Sequence, residues 1–86
     1  MERYEIRIKR SAAKEIERIA TKRDRQRVVR RIRSLAEDPR PAGCEKLGGQ
    51  DRYRIRQGAY RVVYAVADSD QIVVVVKVGH RRDVYR

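Results

Sequence analysis

Three arginines, Arg54, Arg56 and Arg61, flank a Gly58-Ala59 pair, and a second basic group, His80-Arg81-Arg82, is followed shortly by Tyr85. These residue types point to phosphate chemistry. A guanidinium is planar, permanently charged and able to hold two oxygens of one phosphate. Converging arginines therefore bind a phosphodiester, and they stabilise still more the charge that builds at phosphorus as it is cleaved. His80 and Tyr85 add groups that exchange protons. Each also has a plain structural reading: a tyrosine beside Val84 often packs down a terminal segment, and a lone histidine is more often structural than catalytic.

Whether the arginines share a surface depends on the hairpin between them. Gly58 at the first central position suits a two-residue type II′ loop, which sets Gln57 opposite Tyr60, Arg56 opposite Arg61 and Arg54 opposite Val63. On the other face Tyr53 then meets Tyr64 and Ile55 meets Val62, so turn and core choose the same register. Arg54, Arg56 and Arg61 are left together on the face turned away from the helices. Like charges opposite one another cost on the order of a few tenths of a kcal/mol, so an arrangement that keeps three of them calls for something that favours them.

The elements that must position these residues follow from periodicity. Tyr4, Ile6 and Ile8 alternate with charged residues and predict a strand over Arg3–Lys9. Ser11 is the expected cap of a helix carrying Ala12, Ile16, Ile19 and Ala20. The pattern breaks over Thr21–Asp24, where Thr21 or Asp24 can cap a second helix with the apolar stripe Val28, Val29, Ile32, Leu35 and Ala36. Glu37-Asp38-Pro39-Arg40-Pro41 ends that helix. Beyond Cys44 the period becomes two, with strands expected at Tyr53–Gln57, Tyr60–Ala67 and Gln71–Gly79. The expected fold is a single α+β domain over residues 1–86, ordered β-α-α-β-β-β. A helical hairpin packs on one face of a largely antiparallel four-stranded sheet, and the pairing of the first strand is open.

Composition narrows the partners. Among 86 residues, 23 Lys+Arg stand against 12 Asp+Glu, a formal net charge of +11 that favours polyanions. Most of those cations are arginine. Arg23, Arg27, Arg30, Arg31 and Arg33 lie largely off the apolar stripe of the second helix, as a solvated face or as a second polyanion contact. Arg27, Arg30, Arg31, Lys46 and Arg82 are the candidates for that docking role. No apolar run is long enough for a membrane span or a signal peptide, so a cytoplasmic protein is expected. One cysteine, Cys44, and one histidine, His80, exclude a disulfide framework and make a protein-built zinc site very unfavourable.

Lys46-Leu47-Gly48-Gly49, Tyr53-Arg54-Ile55-Arg56, Gly58-Ala59-Tyr60-Arg61-Val62-Val63-Tyr64 and Val78-Gly79-His80-Arg81-Arg82-Asp83-Val84-Tyr85, in this order and spacing, closely resemble the RelE toxins of the RelE/ParE superfamily. The likeness runs over the whole chain. It implies a toxin that cleaves mRNA in the ribosomal A site, against rRNA, and is neutralised by a cognate antitoxin. The family's basic strand positions match Arg54 and Arg56, its arginine after the hairpin matches Arg61, its post-strand arginine matches Arg81 and its terminal tyrosine matches Tyr85. Two departures stand out. The best-known members carry lysines at the two strand positions, and their segment between the post-strand arginine and the tyrosine is longer. Arginine, unlike lysine, cannot give up its proton to act as a base.

On that resemblance Arg61 and Arg81 are expected at the scissile phosphate, with Arg54 and Arg56 positioning the backbone and supporting the leaving group. Tyr85 or His80 would serve as general base for attack by the RNA 2′-hydroxyl. No cofactor is expected, and the antitoxin should be acidic. Two rivals use the same features: a ParE-like toxin that poisons DNA gyrase through protein contact, and a non-catalytic RNA- or ribosome-binding module.

Overall fold

The computed structural model describes residues 3–48 and 51–84, with side chains through Arg82. In chain order the elements are β1 (Glu5–Ile8), α1 (Arg10–Glu17), α2 (Lys22–Ser34), β2 (Glu45–Leu47), β3 (Arg52–Gln57), β4 (Tyr60–Ala67), β5 (Ile72–His80) and α3 (Arg81–Val84). The strands form one sheet in the order β1-β5-β4-β3-β2. All neighbours are antiparallel except β1 and β5, which run parallel. The predicted helical pair on a largely antiparallel sheet is therefore present. The sheet has five strands rather than four, because Glu45-Lys46-Leu47 is too short to show a period and is defined by its pairing with β3. The first strand joins β5 because hairpins extend the sheet from β5 through β4 and β3 to β2, leaving the other edge of β5 open.

Local chemistry explains the helix boundaries. Thr21 caps α2, its Oγ1 accepting the Asp24 N–H at 3.1 Å, while the Asp24 carboxylate complements the positive end of the helix. Ser11 does not cap α1. The helix starts at Arg10 behind Lys9, which has no side-chain cap bond, because the Lys9 N–H is still paired with the Val75 carbonyl at 2.9 Å. The chain thus turns straight from the β1 ladder into the helix.

The helices bury Ala12, Ile16, Val28 and Ile32 against Tyr53, Ile55, Val62, Tyr64, Val66, Val73, Val75 and Val78 of the sheet. Tyr64 lies at the centre, fully buried. Its ring stacks on Tyr53 with centroids 5.8 Å apart, and its hydroxyl donates to the Pro39 carbonyl at 2.7 Å. Burial pushes the Tyr64 phenol above its ordinary pKa, so the ring stays neutral.

The β3–β4 register is the predicted one: Gln57 opposite Tyr60, Arg56 opposite Arg61 and Arg54 opposite Val63. Gly58 supplies the positive φ of 60° that the first central position requires. The β4–β5 ladder is less regular. Val63 pairs with Lys77 and Tyr64 with Val75, so Val76 is an extra residue in β5. This bulge shifts the alternation by one, and Val78 faces the helices as Val73 and Val75 do.

Candidate functional site

Arg61 is the residue that the fold treats most unusually. Only 8% of it is exposed, although it projects from the sheet face opposite the helices. Its neighbour across β5 is Gly79, so no side chain stands beside it on that flank. One terminal nitrogen, Nη1, donates to the carbonyls of Gly58 at 3.3 Å and Tyr60 at 3.1 Å. Its Nε is buried without a hydrogen-bond partner, and no ion pair holds Arg61 among the described residues. A buried cation with an unfilled donor is costly in isolation, and its natural complement is an anion.

Arg54 and Arg56 lie on the same face, one strand away. Their charge is offset by a residue that periodicity did not single out. Glu45 of β2 accepts from Arg54 Nη2 at 2.6 Å through Oε2 and from Arg56 Nη2 at 3.2 Å through Oε1. The expected crowding of like charges is thus relieved from inside the fold. Detecting Glu45 required knowing that β2 exists and pairs Glu45 with Arg54.

The basic group after β5 meets this site at the hairpin. The Arg81 N–H donates to the Ala59 carbonyl at 2.7 Å, which starts α3 against the turn, and the side chains of Arg81 and Arg82 are exposed. Tyr85 lies outside the described residues. On the helix side of the same end, Arg27, Arg30, Arg31 and Ser34 of α2 line a shallow cleft with Gln57, the last residue of β3. Cations from α2, β3, β4 and α3 therefore gather around one hairpin turn.

Two predicted residues fall elsewhere. His80 pairs with Tyr60, its ring edge-on at a centroid distance of 5.8 Å. The two rings line a cleft on the helix side with Glu15, Arg18 and Ile19. The structure does not bring His80 together with Arg54, Arg56 and Arg61, because the sheet separates them. His80 Nδ1 instead accepts the Arg82 N–H at 3.4 Å. Lys46 is exposed on β2 opposite Tyr53, on the helix-side alternation rather than with the arginines.

At the far end of β4 from the hairpin turn, Arg40 is neutralised within the fold. Arg40 is bidentate to Asp68 at 3.1 and 2.7 Å, stands 5.1 Å over the Tyr53 ring and donates to the Tyr53 hydroxyl at 3.0 Å. Tyr4 adds a hydrogen bond to Asp68 at 2.7 Å. Bonds from Arg40 and then Tyr4 hold the Asp68 carboxyl below its ordinary pKa of 3.8. A group whose pKa is depressed by folding adds stability above its unfolded value and loses it as pH falls through the folded value. The thermal midpoint is accordingly expected to drop in acid below about pH 4, and Asp68→Asn should flatten that dependence. Melts at a series of pH values would show it, and identical profiles for the two proteins would refute the assignment.

Among the described residues no group of three or more His, Cys, Asp or Glu side chains is placed to hold a metal ion, and no helix is long and apolar enough to cross a membrane.

Comparison with known proteins gives a consistent set of relatives. A family model described as the ParE toxin of the type II toxin-antitoxin system parDE matches residues 6–85. A RelE-like toxin protein of Escherichia coli is 31% identical over 87 residues, covering 96% of this chain and 90% of that protein. Among solved structures, the RelBE2 toxin-antitoxin complex of Mycobacterium tuberculosis superposes with a TM-score of 0.82 at 26% identity, covering 96% of this chain and 97% of the other. A mutant of the Escherichia coli toxin RelE in the free state gives a TM-score of 0.78 at 30% identity, covering 96% of this chain and 90% of the other.

Proposed function

We propose that this chain, which belongs to the ParE toxin family of type II toxin-antitoxin systems and is a RelE-like toxin, arrests translation by cutting mRNA on the ribosome. The observation that carries the reading is Arg61. A nearly buried guanidinium keeps an open donor beside a turn ringed by further arginines. A gyrase poison acting by protein contact needs no such group, whereas a phosphodiester under attack does.

RNA brings its own nucleophile. A base removes the 2′-hydroxyl proton, the 2′ oxygen attacks the adjacent phosphorus in line, and the bond to the 5′ oxygen breaks. The products are a 2′,3′-cyclic phosphate and a 5′-hydroxyl, the latter completed by a proton from solvent. Arg61 and Arg81 hold the non-bridging oxygens as charge accumulates, while Arg54 and Arg56 position the backbone and support the departing oxygen. Tyr85 is the proposed base. A guanidinium beside a phenol favours the phenolate, which suits a tyrosine that follows Arg81 and Arg82 in sequence, and His80 belongs to the opposite face.

A chain with so few acid–base groups gains from a host that orients its substrate, since alignment alone is worth several orders of magnitude in rate. The cations of α2 then serve for docking: Arg27, Arg30 and Arg31 flank the turn on the side away from Arg61 and suit an rRNA backbone. The same surface suits an acidic antitoxin, and the solved RelBE2 complex is a precedent for that pairing.

Primer extension on transcripts after induction is the test. Cuts at a fixed position within codons, absent from untranslated regions, are expected, together with little cleavage of free RNA. The family's ParE description favours a second reading, gyrase poisoning, and supercoiling defects with intact mRNA would establish it in place of the first.

A further inference from the structure

We infer that Glu45 is a positioning residue that occupies the place of an RNA phosphate on the arginine face, keeping Arg54 and Arg56 aligned until a phosphodiester displaces it. The inference rests on the proposed RNA-binding role of that face.

The geometry is that of a stand-in. Arg54 and Arg56 are two residues apart on β3, so their side chains leave the same face of the strand. One carboxylate bridges them with one oxygen to each guanidinium, at 2.6 and 3.2 Å, as the two non-bridging oxygens of a single phosphodiester would. Glu45 comes from the three-residue edge strand β2, and its side chain is 46% exposed. A ligand can therefore reach it from solvent. The Arg56 side chain, at 56% exposed, is equally open, whereas that of Arg54 is only 10% exposed and is held in place.

A carboxylate in this position has two effects. It keeps the two guanidinium groups close together and ready, which lowers the ordering cost of binding. It also competes with any passing polyanion, so a phosphate must be presented well enough to take its place. Charge counting gives the signature. The ions released come from the RNA, for each phosphate that a cation neutralises; where Glu45 keeps a share of the two guanidinium groups, fewer phosphates are neutralised and fewer ions are released. A residue that merely ties β2 to β3 would leave that salt dependence untouched.

The probe is a short single-stranded RNA made uncleavable by 2′-deoxy substitution, titrated by fluorescence anisotropy against the full chain at several salt concentrations. Glu45→Gln keeps size and polarity and removes the charge. It is expected to bind about 5–10-fold more tightly at low salt, with the slope of log K against log salt steeper by roughly 0.7 for each additional phosphate that the freed arginines neutralise. Glu45→Asp is too short to bridge both arginines and should give a smaller gain. Adding Arg56→Ala to Glu45→Gln should remove most of it. Wild-type affinity and slope in Glu45→Gln, with Arg56→Ala weakening binding, would overturn the inference and leave the RNA face standing. If Arg54→Ala and Arg56→Ala both bind as the wild type does, the RNA face itself is wrong, and the role of Glu45 falls with it. Thermal melts of each variant show whether the compared proteins are folded.

Discussion

Replacing Arg61 with alanine is expected to reduce ribosome-dependent mRNA cleavage by about 10²–10³-fold, the usual cost of removing one donor aimed at a charge that develops in the transition state. The fold should persist. Arg61 contributes two hydrogen bonds to turn carbonyls and forms no ion pair among the described residues, so its removal also relieves a desolvated cation. Arg61→Lys keeps a charge but loses the planar fork, and should recover only part of the activity. Growth arrest and codon-linked cleavage by the purified or induced variants are the readouts. A folded Arg61→Ala protein that arrests growth as the wild type does would show that the phosphate is held elsewhere.

The second large effect concerns Tyr64, where the expected loss is stability rather than rate. Truncating a fully buried aromatic to alanine costs about 3–5 kcal/mol, from lost burial and from the cavity left behind. A domain of 86 residues has roughly 4–13 kcal/mol to lose, so Tyr64→Ala should be marginal or unfolded at 37 °C. Tyr64→Phe isolates the hydroxyl. It keeps the stack on Tyr53 and removes the donor to the Pro39 carbonyl, for about 1–3 kcal/mol if that carbonyl is left unpaired. Urea unfolding of the pair separates the two contributions. Equal losses in Phe and Ala would mean that the ring itself contributes little.

The parts of the molecule that sequence revealed are those set by local rules. Gly58-Ala59 with alternating apolar residues on both sides leaves one register that satisfies turn and core together, and the arginine face follows from it. The cap of α2 was narrowed to Thr21 or Asp24 by the same kind of local rule, and Thr21 takes it, whereas Ser11 fails to cap α1 because that helix begins directly from the β1 ladder. What escaped depends on the third dimension. Glu45 sits on a strand too short to have a period, and Asp68 reaches Arg40 across 28 residues of chain. The direction of His80 was hidden by composition. Ile72 through Val76 are all β-branched, so nothing in the run marks Val76 as the extra residue. Strict alternation from Val73 and Val75 would have turned His80 toward the arginines, whereas the bulge turns it toward Tyr60 and brings Gly79 beside Arg61.

That bulge gives β5 two segments of different phase. The half that pairs with β1 answers to packing, as does Val78 beyond the bulge, and these valines cannot change without a cavity or a clash. The half beyond Val76 has its own phase, so the residues beside the turn can be exchanged without re-aiming those valines. A toxin scaffold divided in this way can change what it attacks while its interior stays the same.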